Sequence, residues 1–192
     1  MKMFKKRLAQ VVLAAALLNT NAVSAAVVNL SLAGVAQSGS SFTVDVWVNE
    51  LFSGLPSDEE LLAFGMTVAN SSPGLFSLTG VNIAAPFADD SALPGVDAAG
   101  SVFPGIVNEL GNQSILLASL TFFAHDAGNG SLGIRTDLLN PGQGLIFFQS
   151  SAVSMNADLA VNVSPVPLPA AWPMMLGGIT LLAGIARRRV TL

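Results

Sequence analysis

The chain of 192 residues contains no cysteine, no tyrosine and a single histidine, and it has no lysine between residues 26 and 163. Without cysteine, disulfide bonds, thiolate zinc sites, iron–sulfur clusters and cysteine nucleophiles are all excluded. Catalysis requires an acid, a base or a nucleophile arranged around a substrate, and few side chains of these kinds are present. The sequence therefore predicts no cofactor and no catalytic residue, with a hydrolase that uses two of the twelve carboxylates as an alternative.

Basic residues are concentrated at the two ends of the chain. Seven of the eight lie there: Lys2, Lys5, Lys6, Arg7, Arg187, Arg188 and Arg189. Residues 26–163 carry one arginine against twelve carboxylates, which gives a formal charge of −11. Because affinity for nucleic acid comes largely from lysine and arginine side chains that neutralise phosphates, this balance excludes nucleic acid as a partner.

The N-terminus has the three parts of a secretory signal peptide. A basic start is followed by an apolar core over residues 8–18 and then by small residues. Cleavage after Ala25 would leave Ala26 as the first residue of the mature protein. The alternative is an uncleaved anchor helix, but eleven apolar residues are too few to cross a hydrocarbon layer about 30 Å thick. We assign residues 1–25 to the signal peptide.

Residues 26–163 have the pattern of strands. Polar and apolar residues alternate in 41–51, as in a half-buried strand. The apolar face of that strand holds Phe42, Val44, Val46 and Val48. A second clear strand begins at 115; one face is predicted to hold Leu116, Ala118, Leu120 and Phe122, and the other Ile115 and Leu117. Further strands are predicted at 27–32, 61–69, 75–83, 131–136, 144–149 and 159–163.

Many short strands without intervening helices predict an all-β fold, an antiparallel, jelly-roll-like β-sandwich over residues 26–163. Two segments do not fit the strand pattern. Residues 84–111 show little periodicity, and we expect a long connection with one strand near 105–109. Residues 56–62 have the composition of a helix start, which predicts a single helical turn.

Three segments of this region, taken in order, resemble cohesin-like domains. The first is the alternating strand in 41–51. The second, a hairpin, carries Phe64, Val68, Asn70, Leu75, Leu78 and Val81. The third, also a hairpin, carries Leu117, Ala118, Leu120, Phe122, Ala124, Gly128 and Leu132. The resemblance implies a cohesin-like sandwich and, as a functional expectation, a module of the dockerin-binding type.

The side chains with the clearest potential for binding are an aromatic residue and two acidic clusters. Trp47 lies on the polar face of its strand, where an exposed ring would be a platform for a sugar; the alternative is that a loop or edge strand covers it. The acidic clusters are candidate calcium ligands: Asp58, Glu59, Glu60, Asp89 and Asp90. Neither cluster has the alternating pattern of a calcium loop, so the sequence predicts no metal site.

The C-terminal region, residues 164–192, contains an uncharged apolar run over 170–186. Seventeen residues form a helix of roughly 25 Å, at the short end of what spans a bilayer. Arg187, Arg188 and Arg189 would then remain on the cytoplasmic side. The alternatives are a permanent anchor and a terminal helix buried in the domain.

The same region resembles a PEP-CTERM sorting signal of the VPLPA type. The motif is carried by Val166, Pro167, Leu168, Pro169 and Ala170. The C-terminal part of the signal is matched by Leu182, Ala183, Gly184, Ile185, Ala186 and the three arginines. The resemblance implies recognition by an exosortase in the membrane of a Gram-negative bacterium and release to the cell surface or the extracellular polysaccharide. Leu168 stands where glutamate is common in that family.

These observations predict a non-enzymatic exported protein of the cell surface or extracellular matrix. Its expected partners are the exosortase, the membrane as a transient anchor, and extracellular polysaccharide. A carbohydrate- or dockerin-type binding module is the alternative.

The signal-peptide assignment has a direct test. Mass spectrometry of the protein isolated from its producing cell should give a mature N-terminus at Ala26, because the small residues that precede it suit signal peptidase. A mature protein that still begins at Met1 would contradict the assignment and favour the anchor helix.

Overall fold

The computed structural model describes residues 26–108 and 114–166, together with Met174, Met175, Gly177 and Ile179, which are helical and exposed. The first two ranges contain ten strands: β1 Val27–Ala33, β2 Ser41–Asn49, β3 Glu60–Asn70, β4 Phe76–Ile83, β5 Ala88–Asp89, β6 Ala98–Val107, β7 Ile115–Ala124, β8 Gly128–Arg135, β9 Gly144–Phe147 and β10 Ala157–Val163. Within the described residues, no helix has both the length and the hydropathy needed to cross a membrane.

The strands form two antiparallel sheets. The first contains four strands in the order β1-β2-β7-β4. The second contains six, with β10-β8-β3-β6-β5 along its length and β9 beside β3. Apolar side chains from both sheets belong to one buried cluster, so the two sheets pack face to face. The predicted all-β antiparallel fold is confirmed, but the two segments predicted as hairpins each join strands of different sheets, β3 to β4 and β7 to β8.

The core is built on the alternation that the sequence shows in β2. Phe42, Val44, Val46 and Val48 are buried, as predicted. The ring of Phe42 stacks on that of Phe122 with centroids 5.5 Å apart, and both meet the edge of Phe76. The second sheet supplies the facing layer, whose fully buried members include Phe64, Met66, Leu132 and Ile134. Burial of apolar surface of this kind is the dominant stabilising contribution in folding.

A bulge at the start of β7 changes the faces predicted there. Val46 pairs with Ala118, but the next residue, Trp47, pairs with Leu116, so Leu117 is the extra residue. Leu116 therefore lies on the outer face opposite Trp47, and Ile115 lies on the inner face opposite Val48. The prediction that Leu116 shares a face with Ala118 is wrong, because regular alternation gives no sign of a bulge.

Two further expectations are corrected. The region 84–111 was expected to be mainly a connection, but it contains β5 and the long strand β6. Its alternation is weak because small residues are required: a Cβ on Gly100 would lie 2.9 Å from Ile83 and 3.0 Å from the Phe64 and Phe87 side chains. The helical turn predicted at 56–62 is absent, since the chain there makes turns and enters β3 at Glu60.

The chain leaves the second sheet beside the β1–β2 connection. Gln37 and Ser164 form a parallel bridge, in which the Ser38 N–H donates to the Ser164 carbonyl at 2.9 Å. The Ser164 N–H in turn donates to the Ala36 carbonyl at 2.9 Å. These hydrogen bonds fix the described chain after β10 to the β1–β2 connection of the first sheet.

Gly65 in β3 gives a test of this architecture. The segment that precedes β9 crosses the outer face of β3 so closely that a Cβ at position 65 would collide with the Gly142 carbonyl oxygen. Gly65→Ala should therefore lower the free energy of unfolding by about 1–3 kcal/mol, measured by urea denaturation. Gly74→Ala is the matched control, because a Cβ there meets nothing within 4 Å. Equal stabilities of the two variants would contradict the close approach.

Candidate functional site

The outer face of the four-stranded sheet presents an aromatic ring among polar side chains. Trp47 lies in β2 with Asn29 of β1 on one side and Leu116 of β7 on the other. Two residues earlier in β2, on the same face, Asp45 lies between Ser31 of β1 and Ser119 of β7. Directly opposed residues of an antiparallel pair share a face of the sheet. We call this set of six residues the Trp47 face.

Most polar groups of the Trp47 face remain accessible. Asn29 and Ser31 are exposed, while Trp47 and Asp45 are half-buried. The Ser119 hydroxyl donates to Asp45 Oδ1 at 2.6 Å, which fixes the orientation of the carboxylate. The arrangement places donors and acceptors beside the edge of a large flat ring.

Trp47 is half-buried on the outer face of the four-stranded sheet. No described strand packs on the outside of this sheet, because the sheet's inner face alone is turned towards the second sheet. In the described part of the chain, the indole has no side-chain hydrogen bond and no aromatic partner. An amphipathic ring in this position can contact an apolar ligand surface while its N–H remains able to donate.

Two exposed aromatic residues belong to or follow strands of the second sheet. Phe103 of β6 is 97% exposed, and Phe148, just after β9, is 69% exposed. The Phe148 N–H donates to the Glu60 carbonyl at 3.0 Å, and Glu60 pairs with Val107, which is also exposed. This apolar surface was not predicted, because β6 was expected to be mainly a connection and Phe148 was assigned to the interior of a strand.

The acidic clusters are used for local structure. Asp58 Oδ2 accepts a hydrogen bond from the Gln149 side-chain amide at 3.1 Å. Asp89 Oδ1 accepts from the Ser91 N–H at 2.9 Å, which, with the Ser91 hydroxyl, holds the pKa of Asp89 below its ordinary value. Asp90 follows Asp89 directly. Among the described residues, no three histidine or acidic side chains come together as a metal site would require.

Glu59 is fully buried, and its carboxylate is held by hydrogen-bond donors. Glu59 Oε1 accepts from the N–H of Gln149 at 2.8 Å and from the N–H of Glu60 at 3.2 Å, and Oε2 accepts from the Ser150 hydroxyl. Burial raises the pKa of this carboxyl, but the hydrogen bonds outweigh burial and hold the pKa below its ordinary value. Glu59 thus joins the start of β3 to the segment after β9.

His125, the one histidine, lies just after β7. Its Nε2 is 2.9 Å from the Ser77 hydroxyl, and its ring meets the edge of Phe123 with centroids 5.3 Å apart. It is exposed, as expected for a residue at a strand end. Among the described acidic side chains, none lies within hydrogen-bond distance of the imidazole.

The predicted sorting and processing residues fall largely outside the described residues. Val166 is described and is 58% exposed, and Ala26 is half-buried at the start of the domain. Outside the described residues lie the signal peptide with Ala25, the motif residues Pro167, Leu168, Pro169 and Ala170, most of the predicted helix over 170–186, and Arg187, Arg188 and Arg189.

Neither a protein-family model nor a curated protein matches the chain. Among solved structures, a cohesin module from a Clostridium perfringens family 33 glycoside hydrolase is similar in fold. The comparison has a TM-score of 0.48 and 13% sequence identity, and it covers 73% of this chain and 98% of that module. A likeness of this degree gives no argument about what the chain binds.

The buried Glu59 carboxylate predicts a specific dependence of stability on pH. Its pKa is lower in the folded chain than in the unfolded chain, so its contribution to the free energy of unfolding is complete at neutral pH. The contribution is lost as the pH falls below about 4.5 and through the folded value. Glu59→Gln should lower the free energy of unfolding at pH 7 by about 1–3 kcal/mol, because an amide NH₂ then faces N–H donors.

Urea denaturation at pH 7 and at pH 4 measures both effects. Glu60→Gln is the matched control, since no described group donates a hydrogen bond to the Glu60 side chain, and it should behave as the parent protein does. If Glu59→Gln loses stability between the two pH values as steeply as the parent, the assignment of this acid sensitivity to Glu59 is wrong.

Proposed function

We propose that this protein is a non-enzymatic component of the cell surface or extracellular matrix, and that its sandwich domain binds extracellular polysaccharide through the Trp47 face. The observation that carries the proposal is the position of Trp47, half-buried on an outer sheet face that no described strand covers. A tryptophan side chain has only two rotatable bonds, so it loses little conformational entropy when a ligand packs on it.

The neighbours of Trp47 suit a polyhydroxylated ligand. The apolar face of a sugar ring packs on an aromatic ring, while its hydroxyl groups need donors and acceptors at the ring's edge. Asn29, Ser31 and the oriented Asp45 carboxylate provide both. The row of strands also gives a long, open surface, which fits a polymer better than it fits a small molecule.

A non-enzymatic role agrees with the chemistry of the described residues. Their single arginine forms an ion pair with Asp158, their single histidine contacts Ser77, and the buried carboxylate of Glu59 is held by hydrogen bonds. Arg135 is the one of these groups that shares an open space with an acid, and there the guanidinium and the Asp158 carboxylate neutralise each other. This supports a binding or structural role.

Export and C-terminal processing are part of the same proposal, and they are supported by the sequence. The signal peptide directs the domain out of the cytoplasm, and the resemblance of residues 166–189 to a sorting signal supports cleavage by an exosortase. In that scheme the short apolar helix anchors the precursor, and the mature domain reaches the surface or the matrix.

A second candidate function is the binding of another protein. The observation that favours it is the high exposure of two aromatic rings, Phe103 in β6 and Phe148 just after β9. Exposed apolar patches of this kind commonly mark protein interaction sites. Phe103 belongs to the second sheet and Phe148 follows β9 of that sheet, whereas Trp47 belongs to the first sheet, so the two functions can be separated by mutation.

Substitution of the exposed aromatic residues tests the main proposal. Trp47→Ala should weaken binding to the producing organism's own polysaccharide by about tenfold or more, because the central aromatic of a contact surface provides much of its affinity. Affinity electrophoresis of the purified protein in gels containing that polysaccharide gives the comparison.

Phe103→Ala is the control, since it removes an aromatic side chain that is equally able to pack but lies on the other sheet. It should leave retention unchanged. Retention lost in Phe103→Ala and kept in Trp47→Ala would reject the Trp47 face as the contact surface.

A further inference from the structure

A groove of about 320 Å³, with polar side chains at both ends, lies on the outer face of the second sheet, over β3, β8 and β10. Its floor is formed by Ala69 and Gly133, which pair directly with each other. Ser71 and Ser131 line one end, and Arg135 and Asp158 line the other. The buried neighbours Leu132 and Ile134 point into the core, so the groove residues of β8 point outward.

Gly133 is what allows the groove to have a charged end. A Cβ at this position would lie 2.5 Å from Asp158 Oδ1, 2.7 Å from Arg135 Nη1 and 2.8 Å from the Ala157 carbonyl oxygen. Without a side chain on Gly133, the Arg135 and Asp158 side chains lie flat across the strand. The two side chains cover the backbone of β8 at Gly133, which is buried.

The ion pair leaves hydrogen-bonding groups unused. Arg135 Nη2 donates to Asp158 Oδ1 at 2.5 Å, and Nη1 donates to the Ile134 and Ala157 carbonyls at 2.8 and 3.0 Å. Among the described residues, Asp158 Oδ2 accepts no hydrogen bond, and neither Arg135 Nε–H nor the second Nη2–H finds an acceptor. A free donor edge and a free acceptor atom therefore lie side by side at the groove.

The opposite end repeats this arrangement with hydroxyl groups. The Ser71 and Ser131 Oγ atoms are 2.5 Å apart, and the Ser71 hydroxyl also lies 2.8 Å from the Ser131 carbonyl oxygen. Each hydroxyl oxygen keeps a lone pair for a further donor. The groove thus offers paired polar groups at both ends of a flat floor.

We infer that this groove is a second saccharide site, which binds adjacent hydroxyl groups of a neutral sugar. One hydroxyl of a vicinal pair accepts from the Arg135 guanidinium, and its neighbour donates to Asp158 Oδ2. An exposed ion pair contributes little to stability, so a role in the fold does not account for its ordered placement over Gly133. The groove has the volume of a small ligand site.

The charge of the site selects neutral sugars over acidic ones. Asp158 offsets the charge of Arg135, and residues 26–163 otherwise carry only carboxylates as ionised side chains. A uronic acid would therefore meet a negative surface and a guanidinium that is already paired. Discrimination against acidic sugars should weaken as salt screens that repulsion.

Isothermal titration of the full chain, purified in a detergent without a sugar headgroup, tests the inference. The probes are neutral hexasaccharides of glucose, mannose and galactose, with an oligogalacturonate as the acidic comparison. At least one neutral probe should bind at two sites per chain, the acidic probe should bind more weakly, and Trp47→Ala should leave one site. Asp158→Asn in the Trp47→Ala background should weaken that remaining site by about tenfold or more.

Asp126→Asn is the matched control, since it makes the same change at an exposed turn away from the groove. Ser131→Ala, a smaller change at the other end, serves if Asp158→Asn fails to fold. If Trp47→Ala removes all binding, or if no neutral probe binds, the groove is not a saccharide site. If Trp47→Ala changes nothing and Asp158→Asn removes all binding, the groove is supported and the Trp47 face is rejected.

Discussion

The apolar contact between the two sheets is the interaction on which the rest of the structure depends. The chain has no disulfide, and only 10% of its residues are charged, so stability has to come mainly from apolar burial. The stacked Phe42 and Phe122 rings and the facing Phe64 fill the interior. Because this core uses the inward residues of both sheets, most outward residues, unlike Gly65, have no role in packing the core. That freedom is what makes both outer faces available for binding.

Regular alternation explains which parts of the fold are predictable from sequence. In β2 one face is buried and the other meets solvent, so both the strand and the outward position of Trp47 follow from the order of residues. β6 is not predicted in this way, because close packing at Gly100 demands small residues. Small residues show no alternation between polar and apolar side chains. The bulge at Leu117 is equally invisible, since it depends on the partner strand.

The groove at Arg135 could not be predicted from the sequence, for a different reason. Ser71 lies after β3, Ser131 and Arg135 belong to β8, and Asp158 belongs to β10. Nothing in the local sequence of any one of them marks a site, because the sheet order alone brings them together. Glu59 is a similar case: the sequence shows an acidic cluster, whereas the structure shows a carboxylate buried among donors from a distant segment. An outward aromatic residue in a regularly alternating strand, such as Trp47, can thus be found from sequence, but polar clusters built across strands cannot.

The bridge between Gln37 and Ser164 fixes the position at which the described chain leaves the sandwich domain. Trp47 is six residues along β2 from Ser41, at the far end of that strand, and Asp158 is six residues back along the chain from Ser164. At about 3.3 Å per residue, Asp158 lies roughly 20 Å along the chain from Ser164, and Trp47 lies a similar distance along β2 from Ser41. If a precursor is tethered through its C-terminal segment, as proposed, both surfaces lie away from the residue at which the described chain leaves the sandwich. The domain would then bind polysaccharide before the proposed exosortase cleavage. The released protein would already be bound to its matrix.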